Sequence, residues 1–117
     1  MTKQLIDSKD EFWEEGSTNV FADLEMADAD EKLAKAELAL RINQILKRKN
    51  LKQKEAAKLL GLDQSKISLL NRGRLSAFSI ERLVRCLTLL HQDVEIVVRS
   101  TRRRSHHGTL RVVHAAS

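Results

Sequence analysis

A single cysteine in 117 residues leaves no partner for an intramolecular disulfide. Cys86, set between Val84 and Leu87 in a helical pattern, reads as a buried core thiol rather than a reactive one. Aromatic residues make up only 3% of the chain, too few for the stacked-base platforms on which single-stranded RNA binders rely. No apolar run approaches the roughly 20 residues that span a bilayer, and the opening MTKQLIDSKDEFWEE has no signal-peptide core, so the chain reads as soluble and cytoplasmic, with no membrane partner. A glycine-rich phosphate loop is missing, and no Ser, His and Asp set has motif context, so the chain does not read as an enzyme. The four histidines, His91, His106, His107 and His114, lack a second cysteine or a carboxylate at ligand spacing, and neither a metal nor another cofactor is expected.

What the chain does have is charge sorted by position. Residues 1–40 hold 4 basic and 11 acidic side chains, net −7; residues 41–74 hold 10 and 2, net +8; residues 75–117 hold 7 and 3, net +4. A basic block is either a lysine-rich solvated helix surface or a face that neutralises phosphates, and the pattern inside this block favours the second reading. Residues 51–73 read LKQKEAAKLLGLDQSKISLLNRG. Ala56, Leu59 and Leu60 recur at helical spacing, with Gln53, Lys54, Glu55 and Lys58 opposite them. Ala57 is small where two helices approach. Gly61 suits a left-handed helix end, and Asp63 is placed as the N-cap of a second helix that starts near Gln64. Leu62 and Ile67 occupy the staple positions around that cap, and Ile67 with Leu70 continues the buried stripe. Gln64, Ser65, Lys66, Ser68, Leu69 and Arg72 are left facing outward. This is a helix-turn-helix pattern, whose second helix can lie in the DNA major groove.

On these residues the segment resembles the Cro/repressor-type (XRE) helix-turn-helix, whose usual string runs T-Q-x-x-x-A-x-x-x-G-[IV]-x-x-[SP]-x-[IV]-S-x-[IL]-x-x-G and is matched over residues 52–73. NVFADL from Asn19, RGRLSAFSIERL from Arg72 and DVEIVV from Asp93 extend the resemblance to the HigA-like branch. The resemblance implies a mainly α, lambda-repressor-like domain with a C-terminal β-strand or hairpin used in dimerisation. It also implies a stand-alone regulator, or an antitoxin encoded beside a RelE/HigB-like ribonuclease toxin. Lys52 departs from the Thr or Ser cap usual at its position, a loss of about 1 kcal/mol, though a lysine there can reach a phosphate.

The flanks divide the chain into an acidic arm over residues 1–27, a helix-turn-helix domain over 28–92 and a C-terminal strand, hairpin and basic tail over 93–117. Asp28 and Glu31 form a variant capping box ahead of a long first helix, in which Leu38, Ile42 and Ile45 mark the buried stripe and Lys47, Arg48 and Lys49 load the last turn against the helix dipole. Residues 74–77 form a loop. Ser79 caps a further helix, with Phe78 and Leu83 as its staple and Ile80, Leu83, Val84, Leu87 and Leu90 as its core face. From Asp93 the pattern becomes β-branched: VEIVVR and TLRVVH read as strands around an SHHG turn. A lone hairpin is marginal in water. Pairing with the same strand of a second subunit, through Val94, Ile96 and Val98, is favoured over a hairpin packed on its own chain. Such a homodimer sets two recognition helices about 34 Å apart, the spacing of a palindromic operator.

Within this scheme Gln64, Ser65, Lys66, Ser68 and Leu69 are expected at base edges, with Gln suited to adenine, Lys to guanine and Leu69 to a thymine methyl. Lys52, Gln53, Lys54, Arg72 and Arg74 are expected on phosphates. Arg102, Arg103 and Arg104 read as a solvated hairpin tip. The arm carries Phe12, Trp13 and Phe21 among carboxylates; it reads equally as a frayed terminus or, by the resemblance, as the segment that grips a toxin. Two functional classes follow: a sequence-specific repressor, with the antitoxin role as its fuller form, or a protein-interaction module that neutralises a ribonuclease with little DNA-binding role.

Overall fold

The computed structural model describes residues 17–101 and 107–115, with side chains from residue 28 onward. Phe12, Trp13, the Phe21 side chain, Arg102, Arg103, Arg104 and His106 therefore lie outside the described residues. The described chain folds as α1 (Ser17–Arg48), α2 (Gln53–Leu60), α3 (Gln64–Asn71) and α4 (Ile80–Leu89).

α1 runs for 32 residues, about 48 Å at 1.5 Å per residue. The chain contains no proline, so nothing removes a donor from the ladder. Asp28, expected to cap the start of this helix, lies inside it instead. Alanine, leucine and glutamate, all strong helix formers, stand on both sides of Asp28, with lysines following it, and carry the helix through. One stripe of α1 is buried: Ala34, Leu38, Ala39, Ile42, Ile45 and Leu46. It packs most extensively on α4, which contributes Leu83, Cys86, Leu87 and Leu90, with Phe78 just ahead of it. Ala56, Ala57 and Leu60 of α2, Leu62 of the turn and Ile67 and Leu70 of α3 complete the cluster. Ile80 and Val84, expected in the core, pack against it half-buried. Leu59 was expected on the apolar face of α2 but stays 41% exposed. α2 is little more than two turns long, and the residues it buries are Ala56, Ala57 and Leu60.

All four helices stop in the same way. Asn50, Gly61, Gly73 and His91 adopt left-handed backbone, with φ of 59°, 68°, 73° and 66°. In each case the following residue donates its N–H to a carbonyl five residues back: Leu51 to Leu46 at 3.2 Å, Leu62 to Ala57 at 2.9 Å, Arg74 to Leu69 at 2.9 Å and Gln92 to Leu87 at 3.0 Å. These are Schellman closures, which satisfy carbonyls that the helix leaves open. Glycine adopts that conformation freely at two of them; asparagine and histidine adopt it at a steric cost.

The C-terminal region departs from expectation. Among the described residues no strand forms, either in VEIVVR or in TLRVVH. Val94 and Val112 pack against the core, and the Leu110 N–H donates to Asp30 Oδ2 at 3.3 Å, so both stretches lie along the domain. No backbone hydrogen bond ties residues 93–100 to the described chain. A ladder needs a second strand about 4.8 Å away, and the described residues set none beside this segment.

Replacing His91 with glycine removes the β-carbon from a left-handed position. His91→Gly is expected to raise the unfolding free energy by about 1 kcal/mol, read as a higher denaturant midpoint at unchanged m-value.

Candidate nucleic-acid interface

The interface is built on two helix starts. Lys52 precedes α2 with extended backbone, φ −79° and ψ 164°, and its side chain makes no cap bond. The missing Ser or Thr cap is offset in part from the other direction: Glu55 Oε1 accepts the Lys52 N–H at 2.9 Å, the reciprocal half of a capping box. Lys52, Gln53 and Lys54 are all exposed at the end of α2 where open N–H groups and the dipole favour an anion.

The start of α3 is held by Asp63. Its Oδ1 accepts the Lys66 N–H at 2.9 Å and the Ser65 hydroxyl at 2.8 Å. The Lys66 backbone bond first, then the Ser65 hydroxyl, keep the Asp63 carboxyl below the usual carboxylate range. Ser65 thus directs its one hydroxyl proton to the cap, and its oxygen faces outward with lone pairs to offer.

Ile67 and Leu70 anchor the inner side of α3 at 1% and 0% exposure. At about 100° per residue, Gln64, Ser65, Ser68, Leu69 and Arg72 share the opposite arc, whereas Lys66 falls on the flank beside Leu70. Gln64, Ser65, Arg72 and Arg74 are exposed; Lys66, Ser68 and Leu69 are half-buried. Leu69, expected to stand free for a thymine methyl, leans on the core cluster and has only part of its side chain to present.

Sequence reasoning missed a second feature. A groove of about 400 Å³ opens where the end of α1, the start of α2 and α3 converge, and Lys47, Asn50, Gln53 and Asn71 line it. Of these only Gln53 was expected at the interface. Lys47 and Asn50 close a different helix, and no spacing along the chain relates them to Asn71. At the back of the groove the Asn43 side-chain amide donates to the Leu70 carbonyl at 3.1 Å, tying α1 to the last turn of α3. Cys86 is buried in the core, and burial pushes its thiol up, away from the reactive thiolate. Among the described residues no group of three His, Cys, Asp or Glu side chains is placed to hold a metal, and no helix is long and apolar enough to cross a membrane.

This arrangement, with four helices among the described residues, defines a helix-turn-helix protein. A family model described as a helix-turn-helix domain matches residues 20–99. A solved structure named as an XRE family transcriptional regulator is 40% identical, superposes with a TM-score of 0.65 and covers 77% of this chain and 99% of its own. None of the curated proteins matches the chain. The chain belongs to the helix-turn-helix domain family, in its XRE type.

The Asp63 cap carries a pH signature. Its folded pKa lies below the unfolded value of about 3.9, so its stabilisation is present above that value and is lost as pH falls through the folded one. Asp63→Asn keeps a side-chain acceptor at the cap but has no proton to gain. Its denaturation midpoint is expected to fall less steeply than that of the parent chain between about pH 5 and pH 2.

Proposed function

We propose that the protein is a sequence-specific, DNA-binding transcriptional repressor that acts as a homodimer on a palindromic operator. The observation that carries this reading is the free outer side of α3, where Gln64 and Ser65 stand exposed beside a firmly capped start. Gln64 offers the bidentate pairing that adenine accepts; Ser65, its proton already given to Asp63, suits a base that donates, adenine N6 or cytosine N4. Lys66, Ser68 and Leu69 complete the base-reading set. Lys52, Gln53, Lys54, Arg72 and Arg74 supply the phosphate contacts, and the groove residues Lys47, Asn50 and Asn71 extend them around the start of α2.

The dimer is supported by the C-terminal stretch. Ile96 and Val98 are 82% and 89% exposed, on a backbone without hydrogen-bond partners over residues 93–100. The same stretch of a second copy, aligned on Val94, Ile96 and Val98, satisfies both needs at once. The fuller reading is an antitoxin that represses its own operon. Its support is the resemblance to HigA-like antitoxins together with an acidic arm bearing Phe12, Trp13 and Phe21, suited to a basic RelE/HigB-like partner. Without such a partner the same chain is a stand-alone regulator.

Binding to a promoter fragment and to random DNA, followed across a salt series, tests the repressor. Gln64→Ala and Ser65→Ala are expected to cost about 1–3 kcal/mol on the operator and little on random DNA. Lys52→Ala is expected to weaken both alike and to lower the salt slope by about 1. Equal losses on both DNAs for all three variants would sink the assignment. A chain lacking residues 1–16 is expected to keep operator binding and lose capture of the neighbouring toxin; capture that survives removes Phe12 and Trp13 from the antitoxin reading.

A further inference from the structure

The face of α1 turned away from the core is also apolar. Ala29, Leu33, Ala36 and Leu40 are all exposed, Leu33 and Leu40 at 58% and 57%. Their spacing of four, three and four residues makes one seam, about half a turn around the helix from Leu38 and Ile42. In the sequence the same register runs back through Met26 and Ala22, giving alanine at one heptad position and leucine or methionine at the other. An exposed leucine by itself means little. Six apolar residues in one heptad register are the pattern of a helix that pairs with another helix. The chain's own C-terminal stretch does not supply the partner: Leu110 reaches the flank of α1 at Asp30 and leaves Leu33 and Leu40 open.

Charge selects the occupant. The first half of α1, residues 17–32, holds 5 acidic and 1 basic side chains; the second half, residues 33–48, holds 4 basic and 1 acidic. Side-by-side pairing in the same direction sets like charge against like. Opposite-direction pairing sets the acidic half of one helix on the basic half of the other and opposes their dipoles. We infer that the seam Ala29–Leu33–Ala36–Leu40 docks the same seam of a second copy of this chain, antiparallel, in a twofold contact separate from the C-terminal strand pairing. The small alanines let the backbones approach, and the leucines of one copy fill the space over the alanines of the other. Together the two contacts join strand-paired dimers into a four-chain assembly that holds more than one operator. The seam contact itself does not depend on the DNA-binding reading; the four-chain assembly and its hold on more than one operator rest on it.

Light scattering on the full chain over a concentration series, without DNA, tests it. Leu33→Glu/Leu40→Glu is expected to halve the mass of the largest species at unchanged helix content, because both side chains are exposed in the single chain. Ile96→Lys/Val98→Lys is expected to halve it separately, and all four changes together to give the single 13.3 kDa chain. A parent chain of two copies that the α1 pair alone splits still supports the seam and removes the strand contact. If the Leu33→Glu/Leu40→Glu chain keeps the parent's mass at every concentration, the seam does not dock a second copy, whatever becomes of the strand variants. Salt reads the orientation: raising it from roughly 0.1 M to 1 M screens the charges and is expected to weaken the contact, whereas strengthening overturns the antiparallel arrangement.

Discussion

α3 is eight residues long, too short to persist as a helix without outside support. Its existence and its pose are imposed from one side. Ile67 and Leu70 sit in the common core, Asp63 closes the first turn through the Lys66 N–H, and Asn43 of α1 grips the Leu70 carbonyl. With its inner side held at the start, middle and end, the outer side is free to carry polar residues that the core does not require. Burial of each aliphatic anchor is worth about 1.5–3 kcal/mol, far more than the helical propensity of so short a segment, so the anchors set the geometry of the whole outward face.

α1 is the element on which the other parts converge. Its buried stripe forms the base with α4, its last turn and Schellman closure shape one wall of the groove, and Asn43 fixes the end of α3. Its charges are also sorted along its length: acidic side chains lie toward the start, away from the basic turns that flank α2. On the proposed reading, a duplex held at α2 and α3 would meet Lys47, Lys52 and Lys54 rather than the carboxylates, a division that suits a polyanion.

The apolar surface left over is unevenly placed. Ile96, Val97 and Val98 are 82%, 69% and 89% exposed, a density that a lone soluble chain carries as an aggregation liability. The exposed seam on α1 is milder, because alanine alternates with leucine. Both surfaces lie outside the four-helix core, and covering either one requires no change within it. The strand-pairing segment lies apart from the DNA-facing helices, whereas the α1 seam shares with them the basic half of α1 that carries Lys47.

Local chemistry was legible in the chain. The Asp63 cap, the Ser79 cap whose hydroxyl accepts the Arg82 N–H, the left-handed Gly61 and the buried stripe of Leu38, Ile42 and Ile45 each depend on residues within a few positions of one another, which a sequence displays directly. The misplaced start at Asp28 is a case where a cap signal competed with helix propensity on both sides and lost. The groove of Lys47, Asn50, Gln53 and Asn71, the lean of Leu69 on the core and the Asn43 tie to Leu70 bring together distant positions, and only packing fixes such distances. The C-terminal stretch shows the same division: β-branched composition declares a preference for pairing, but a strand exists only when another backbone lies beside it, and the described residues of one copy provide none.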